Sequence, residues 1–146
     1  MENHESLGRQ AAVIKTVFAY KINVAIAAIL LFVNGQTLVS VLWEGAGTTP
    51  ALASALLTLA SLVYGLIALN GYLTKIIVHQ GGFVMKSIFR ETTVYGEEIK
   101  KAVFSRVNMR KMKIYITLKD GANININSAK YMDIVPLVEF LANFKG

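Results

Sequence analysis

The chain has 146 residues and no cysteine, which excludes a disulfide framework and fits a reducing compartment. Apolar residues make up 54% and charged ones 16%, and the net charge of +6 comes from residues 73–146, where twelve Lys and Arg face six Asp and Glu. Charge and apolarity are therefore segregated into stretches with different solvents.

In residues 1–21, Leu7, Ala11, Ile14 and Phe18 recur at helical spacing, with Arg9, Gln10, Lys15 and Lys21 elsewhere. This spacing predicts an interfacial helix or an early start to a membrane span, with Lys15 and Lys21 reaching headgroups.

Residues 22–42 and 51–69 contain no Lys, Arg, Asp or Glu. Each run is about 20 residues, enough as a helix to cross a hydrocarbon core of roughly 30 Å. A soluble helix of that length would carry a polar face. Residues 22–72 thus read as a two-helix transmembrane hairpin, turning at 43–50 through Trp43, two glycines and Pro50. In the second run Ser54, Thr58, Ser61, Gly65 and Ala68 form one small-residue stripe, a helix-contact face. Its expected partner is the face with Asn23, Ala27, Leu30 and Asn34 in the first run, and a homodimer through the same stripe is the sharper alternative. Arg9, Lys15 and Lys21 precede the hairpin, Glu44 alone is charged in its turn, and the basic stretch follows. The charge asymmetry predicts a multi-pass protein of the cytoplasmic (inner or plasma) membrane with both termini cytoplasmic.

From residue 73 the period becomes that of a small α+β domain. Residues 75–79 read as a strand, 80–82 as a turn, 83–89 as the return strand, 92–95 as a third and 99–107 as a fourth. Residues 112–118 alternate, with Ile114, Ile116 and Leu118 on one side and Lys113, Tyr115 and Thr117 on the other. After the turn 119–121, Ala122, Ile124 and Ile126 alternate with Asn123, Asn125 and Asn127. Asp133 as N-cap, Pro136 in the first turn and the stripe Ile134, Leu137, Val138, Leu141 and Phe144 predict a C-terminal helix over the open end of a curved antiparallel sheet.

Three stretches carry a resemblance: the opening hairpin 76–86, the strand, acidic turn and return strand at 94–103, and 114–121 with the closing helix. Together they resemble bacterial pleckstrin-homology-like domains found after transmembrane hairpins, over about the second half of the chain. The resemblance implies a partial barrel closed by a helix; domains of this fold bind phosphoinositides, peptides or no identified ligand, and the resemblance neither chooses among these nor transfers a binding residue. The chain departs from the family pattern at Gly96, where relatives often carry tryptophan.

Catalysis needs a nucleophile beside a base, paired carboxylates or clustered metal ligands. His4 and His79 are the only histidines, Glu97-Glu98 is an adjacent pair that an extended chain would splay, and Gly81-Gly82 is too short for a phosphate loop. The expectation is a non-enzyme without metal or cofactor. One aromatic, Tyr115, makes no stacking platform, so nucleic acid is not expected as a partner. Lys100, Lys101, Arg106, Arg110, Lys111 and Lys113 form the candidate surface for anionic membrane lipids or a membrane-protein partner. A polar outer face of Asn123, Asn125 and Asn127 beside Tyr115 and Thr117 is the candidate protein-contact face. The rival expectation is an accessory or assembly subunit that contacts a larger membrane complex through its hairpin.

Overall fold

The computed structural model describes residues 7–108 and 111–144. The chain divides into a helical unit, Phe18–Tyr72, and a sheet unit made of the segments on either side of it.

In the helical unit α1 (Ala19–Glu44) and α2 (Thr48–Leu73) have 26 residues each, about 39 Å at 1.5 Å per residue. Both are long and apolar enough to cross a membrane, and most of their side chains are exposed, unlike those of a soluble core helix. The turn is shorter than the sequence implies. Gly45 ends α1 in the left-handed region (φ 66°), where a side chain would be strained, and Pro50 sits in the first turn of α2. Trp43, 92% exposed, stands beside that turn.

The sheet unit contains a four-stranded sheet, β1 (Gln10–Lys15), β2 (Lys75–His79), β3 (Gly82–Lys86) and β4 (Glu91–Tyr95), antiparallel in that order. A 3-10 turn at Gly96–Glu98 leads into a three-stranded sheet, β5 (Ile99–Asn108), β6 (Lys111–Leu118) and β7 (Asn123–Asn127), and the chain closes with α3 (Val135–Asn143). The two sheets are separate in the described residues, not the single curved sheet of the sequence reading. The break lies at the 3-10 turn, where the Glu98 carboxylate accepts from the Tyr95 amide (3.1 Å) and the Gly96 amide donates to Gly81 (2.8 Å).

The N-terminal segment corrects the sequence reading. Residues 10–15 are a strand and not an interfacial helix, because β2 offers an open edge and Ala12 and Ile14 then face the core while Val13 and Lys15 face out. Residues 7–9 continue along the next turn: Gly81 and Gln80 donate to the carbonyls of Leu7 (2.9 Å) and Arg9 (3.2 Å). Leu7 is buried against Gly82, which has no room for a Cβ between Leu7 and the Val94 carbonyl.

The core joins both sheets and α3. Ile14, Ile76, Val78, Phe83 and Val94 meet Ala102, Ile114, Ile116 and Ile126, and α3 covers them with Leu137, Phe140 and Leu141. Each fully buried large side chain contributes about 1.5–3 kcal/mol. Phe140 packs edge-on to Phe83 at 6.2 Å and Phe144 lies against Phe140 at 4.6 Å; a Cβ on Gly96 would overlap the Phe144 ring. The N-cap of α3 is Ile134 and not Asp133, which sits one residue earlier and accepts from the Val135 amide (3.0 Å) in a local turn ahead of the helix.

The return strand is shorter than its composition implies. β3 stops at Lys86 because Ser87 closes a turn onto Arg90, its amide donating to the Arg90 carbonyl (2.8 Å) and its hydroxyl pairing with the same residue. Ile88 and Phe89, read as strand residues, are therefore at the tip of an exposed turn.

Candidate functional site

The sheet unit has one end at which the chain leaves for α1 and returns from α2. Lys15 and Lys75 are register partners there, and the row continues through Lys86 to Glu91. Lys86 and Glu91 are also bridged at 3.2 Å. Thr16 pairs with Tyr131, Val17 donates to Lys130 (3.0 Å) and Met132 donates to Lys15 (2.9 Å), so the segment entering α3 lies at this same end.

The β5–β6 tip is tied to that end through a short chain path. Lys113 pairs with Asn127, the 3-10 turn Ser128–Lys130 follows, and its hydroxyl at Ser128 accepts from the Met112 amide (2.8 Å). One residue later comes Tyr131, the partner of Thr16. The tip is exposed on both faces: Arg106, Val107, Lys111 and Lys113 all reach solvent, although Arg106 lies opposite Met112 on the core side of the sheet.

The six basic residues proposed from the sequence therefore do not form one cluster. Arg106, Lys111 and Lys113 share the tip, and Arg110 lies outside the described residues. Lys100 and Lys101 are exposed at the start of β5, where Lys101 pairs with Thr117. Five residues of extended strand separate Lys101 from Arg106, about 17 Å. Lys119, near that far end, donates its amide to the Glu98 carbonyl (2.8 Å).

The outer face of the three-stranded sheet is a grid read off the register: Lys101, Thr117 and Asn123; Val103, Tyr115 and Asn125; Ser105, Lys113 and Asn127. On it the Thr117 hydroxyl donates to the Asn123 side-chain carbonyl at 3.0 Å, and none of its nine residues is an acid. The row of asparagines and Tyr115 named from the sequence is on this face.

In the helical unit Ser54, Ser61 and Ala68 are buried, with Thr58 and Gly65 half-buried beside them. Asn34 donates to the Ser61 hydroxyl (2.6 Å), and a Cβ on Gly65 would lie 3.7 Å from that of Ala27. Ser61 and Thr58 return their hydroxyl protons to carbonyls one turn back. The α1 face differs from the sequence reading, Val24 and Leu31 standing where Asn23 and Leu30 were expected. Leu30 is exposed and Leu31 is turned inward, because the α1 residues facing α2 follow 24, 27, 31 and 34, a 3.5-residue repeat. Gly71, which no sequence signal singled out, admits the Tyr20 ring, 2.5 Å from where its Cβ would be.

His79 is buried with its ring nitrogen 3.2 Å from the Gly8 carbonyl, Glu98 caps a turn, and Gly82 serves packing. Among the described residues no three His, Cys, Asp or Glu side chains come together as a metal site. No protein-family model and no curated protein matches the chain.

Proposed function

We propose that the chain is a non-enzymatic integral membrane protein, anchored by α1 and α2, whose pleckstrin-homology-like sheet domain holds its β5–β6 tip against anionic lipid headgroups at the cytoplasmic surface. The observation that supports this reading is the path from Lys113 through Asn127 to Tyr131 and Thr16, along which the basic tip is a few residues from the end of the sheet unit that continues into α1. Headgroup attraction of about 1 kcal/mol per basic residue near the surface suits such a tip. Consecutive antiparallel strands followed by one C-terminal helix support the family resemblance.

Mild-detergent purification of the full chain with lipid analysis tests it. Anionic phospholipid is expected to copurify with the native chain and to be depleted in Lys111→Glu/Lys113→Glu. Unchanged lipid together with a stoichiometric copurifying membrane protein would instead support the accessory-subunit reading.

A further inference from the structure

We propose that the turn 87–90 is a membrane-inserting tip, with Ile88 and Phe89 entering the headgroup layer of the bilayer that α1 and α2 span. The inference rests on the membrane-hairpin reading and goes beyond it by assigning a second, apolar contact distinct from the β5–β6 tip.

Phe89 is 70% exposed and Ile88 43%, in a turn whose backbone is pinned by Ser87 and Arg90. A short polar turn would serve the β3–β4 connection equally well, and an outward pair of large apolar side chains suits an apolar neighbour. Covalent connectivity names that neighbour. The turn follows directly on Lys86, the register partner of Lys75, and Lys75 comes two residues after the end of α2. Adjacent strands are about 4.8 Å apart, so the turn cannot be far from where the chain enters the bilayer. A third exposed apolar residue, Met132 at 70%, donates its amide to the Lys15 carbonyl beside the other junction.

Charge agrees with an anionic lipid surface. Arg90 lies in the turn, Lys75 and Lys15 continue the register row from Lys86 at the turn's base, and the carboxylate in the row, Glu91, is bridged by Lys86. Apolar side chains flanked by Lys and Arg are the pattern of groups that seat in an interface.

Tryptophan quenching in the full chain tests this. Trp43 is the chain's single tryptophan, so Trp43→Phe gives a silent background. In nanodiscs of phosphatidylcholine and phosphatidylglycerol with bromines high on the acyl chains, Phe89→Trp is expected to lose emission relative to the same variant in unbrominated nanodiscs, because an interfacial side chain is seated at that depth. Lys119→Trp, at the opposite end of the sheet unit, is expected to keep its emission. Ile88→Trp gives a second reading should the first variant fold poorly. Phe32→Trp, exposed midway along α1, reports the spans with bromines placed deep. Quenching at Phe32 with none at Phe89 or Ile88 overturns the inserting tip alone; no quenching at Phe32 overturns the membrane hairpin and the tip with it.

Discussion

Lys15 and Lys75 face each other across β1 and β2 although sixty positions separate them in the sequence. The helical hairpin is thus an insertion into a β-hairpin: the strand before it and the strand after it complete one sheet. An antiparallel pair fixes both ends of the insertion at one place, so two helices joined by three residues must leave and return on the same side.

The first prediction concerns what constitutes the folded domain. Residues 73–146 alone lack β1, which exposes the β2 edge and uncovers Ile76 and Val78, so that fragment is expected to show no cooperative thermal transition by circular dichroism. Joining 7–17 to 73–146 through a short Gly/Ser linker is expected to restore one. Within the joined protein, Ile14→Ala is expected to cost about 2–5 kcal/mol in chemical denaturation, as for other large core truncations. Equal cooperativity of the two fragments would show that β1 is dispensable.

Much of the fold was legible because the elements carry their periods locally. The two long apolar helices, the alternation in β6 and β7 and the α3 stripe each need only their own residues to be read. β1 was not legible, since a six-residue strand with two alanines has little pattern and its partner is sixty positions away. Leu7 and Ile14 are both buried, but Leu7 lies outside the strand and packs on a turn; their helical spacing was coincidental. Ile88 and Phe89 are β-favouring residues with an apolar character unrelated to strand formation, and that conflict hid the turn. The basic residues were legible as charge but not as position, because only the β5–β6 register separates Lys100 and Lys101 from the tip.

The second prediction is topological. The absence of cysteine makes single-cysteine labelling clean. In right-side-out vesicles with a membrane-impermeant maleimide, Ala46→Cys in the interhelical turn is expected to label without lysis, and Lys119→Cys in the sheet unit only after it. Labelling of both from one side would sink the two-span hairpin.

Helix contact gives the third prediction, which separates close approach from small size. Gly65→Ala has room beside Ala27, whereas Gly65→Leu does not, and Gly71→Ala meets the Tyr20 ring. Gly65→Leu and Gly71→Ala are therefore expected to lower the detergent melting temperature, with Gly65→Ala and the off-stripe Leu66→Ile near neutral. A double-mutant cycle on Asn34→Leu and Ser61→Ala is expected to give a coupling of about 0.6–1.7 kcal/mol. Zero coupling would mean that their hydrogen bond adds nothing beyond what each group finds elsewhere.

The last prediction uses the split of the basic residues to ask which of them meets lipid. The joined domain, 7–17 linked to 73–146, is expected to bind vesicles containing phosphatidylglycerol and to release them as salt rises, since exposed charges are screened within about 8–10 Å at physiological ionic strength. If the tip is the contact, Lys111→Glu/Lys113→Glu removes two attractions and adds two repulsions. At about 1 kcal/mol per basic residue, loss of the two attractions alone weakens binding by roughly thirtyfold, and the repulsions deepen the loss. Lys100→Glu/Lys101→Glu makes the same change in net charge at the far end of β5, about 17 Å from Arg106. It is expected to weaken binding only slightly, and both variants are expected to keep the parent's stability because all four side chains are exposed. Equal losses from the two pairs would mean that the domain responds to net charge without orientation. A loss confined to Lys100 and Lys101 would turn the domain over and overturn the tip as the lipid contact.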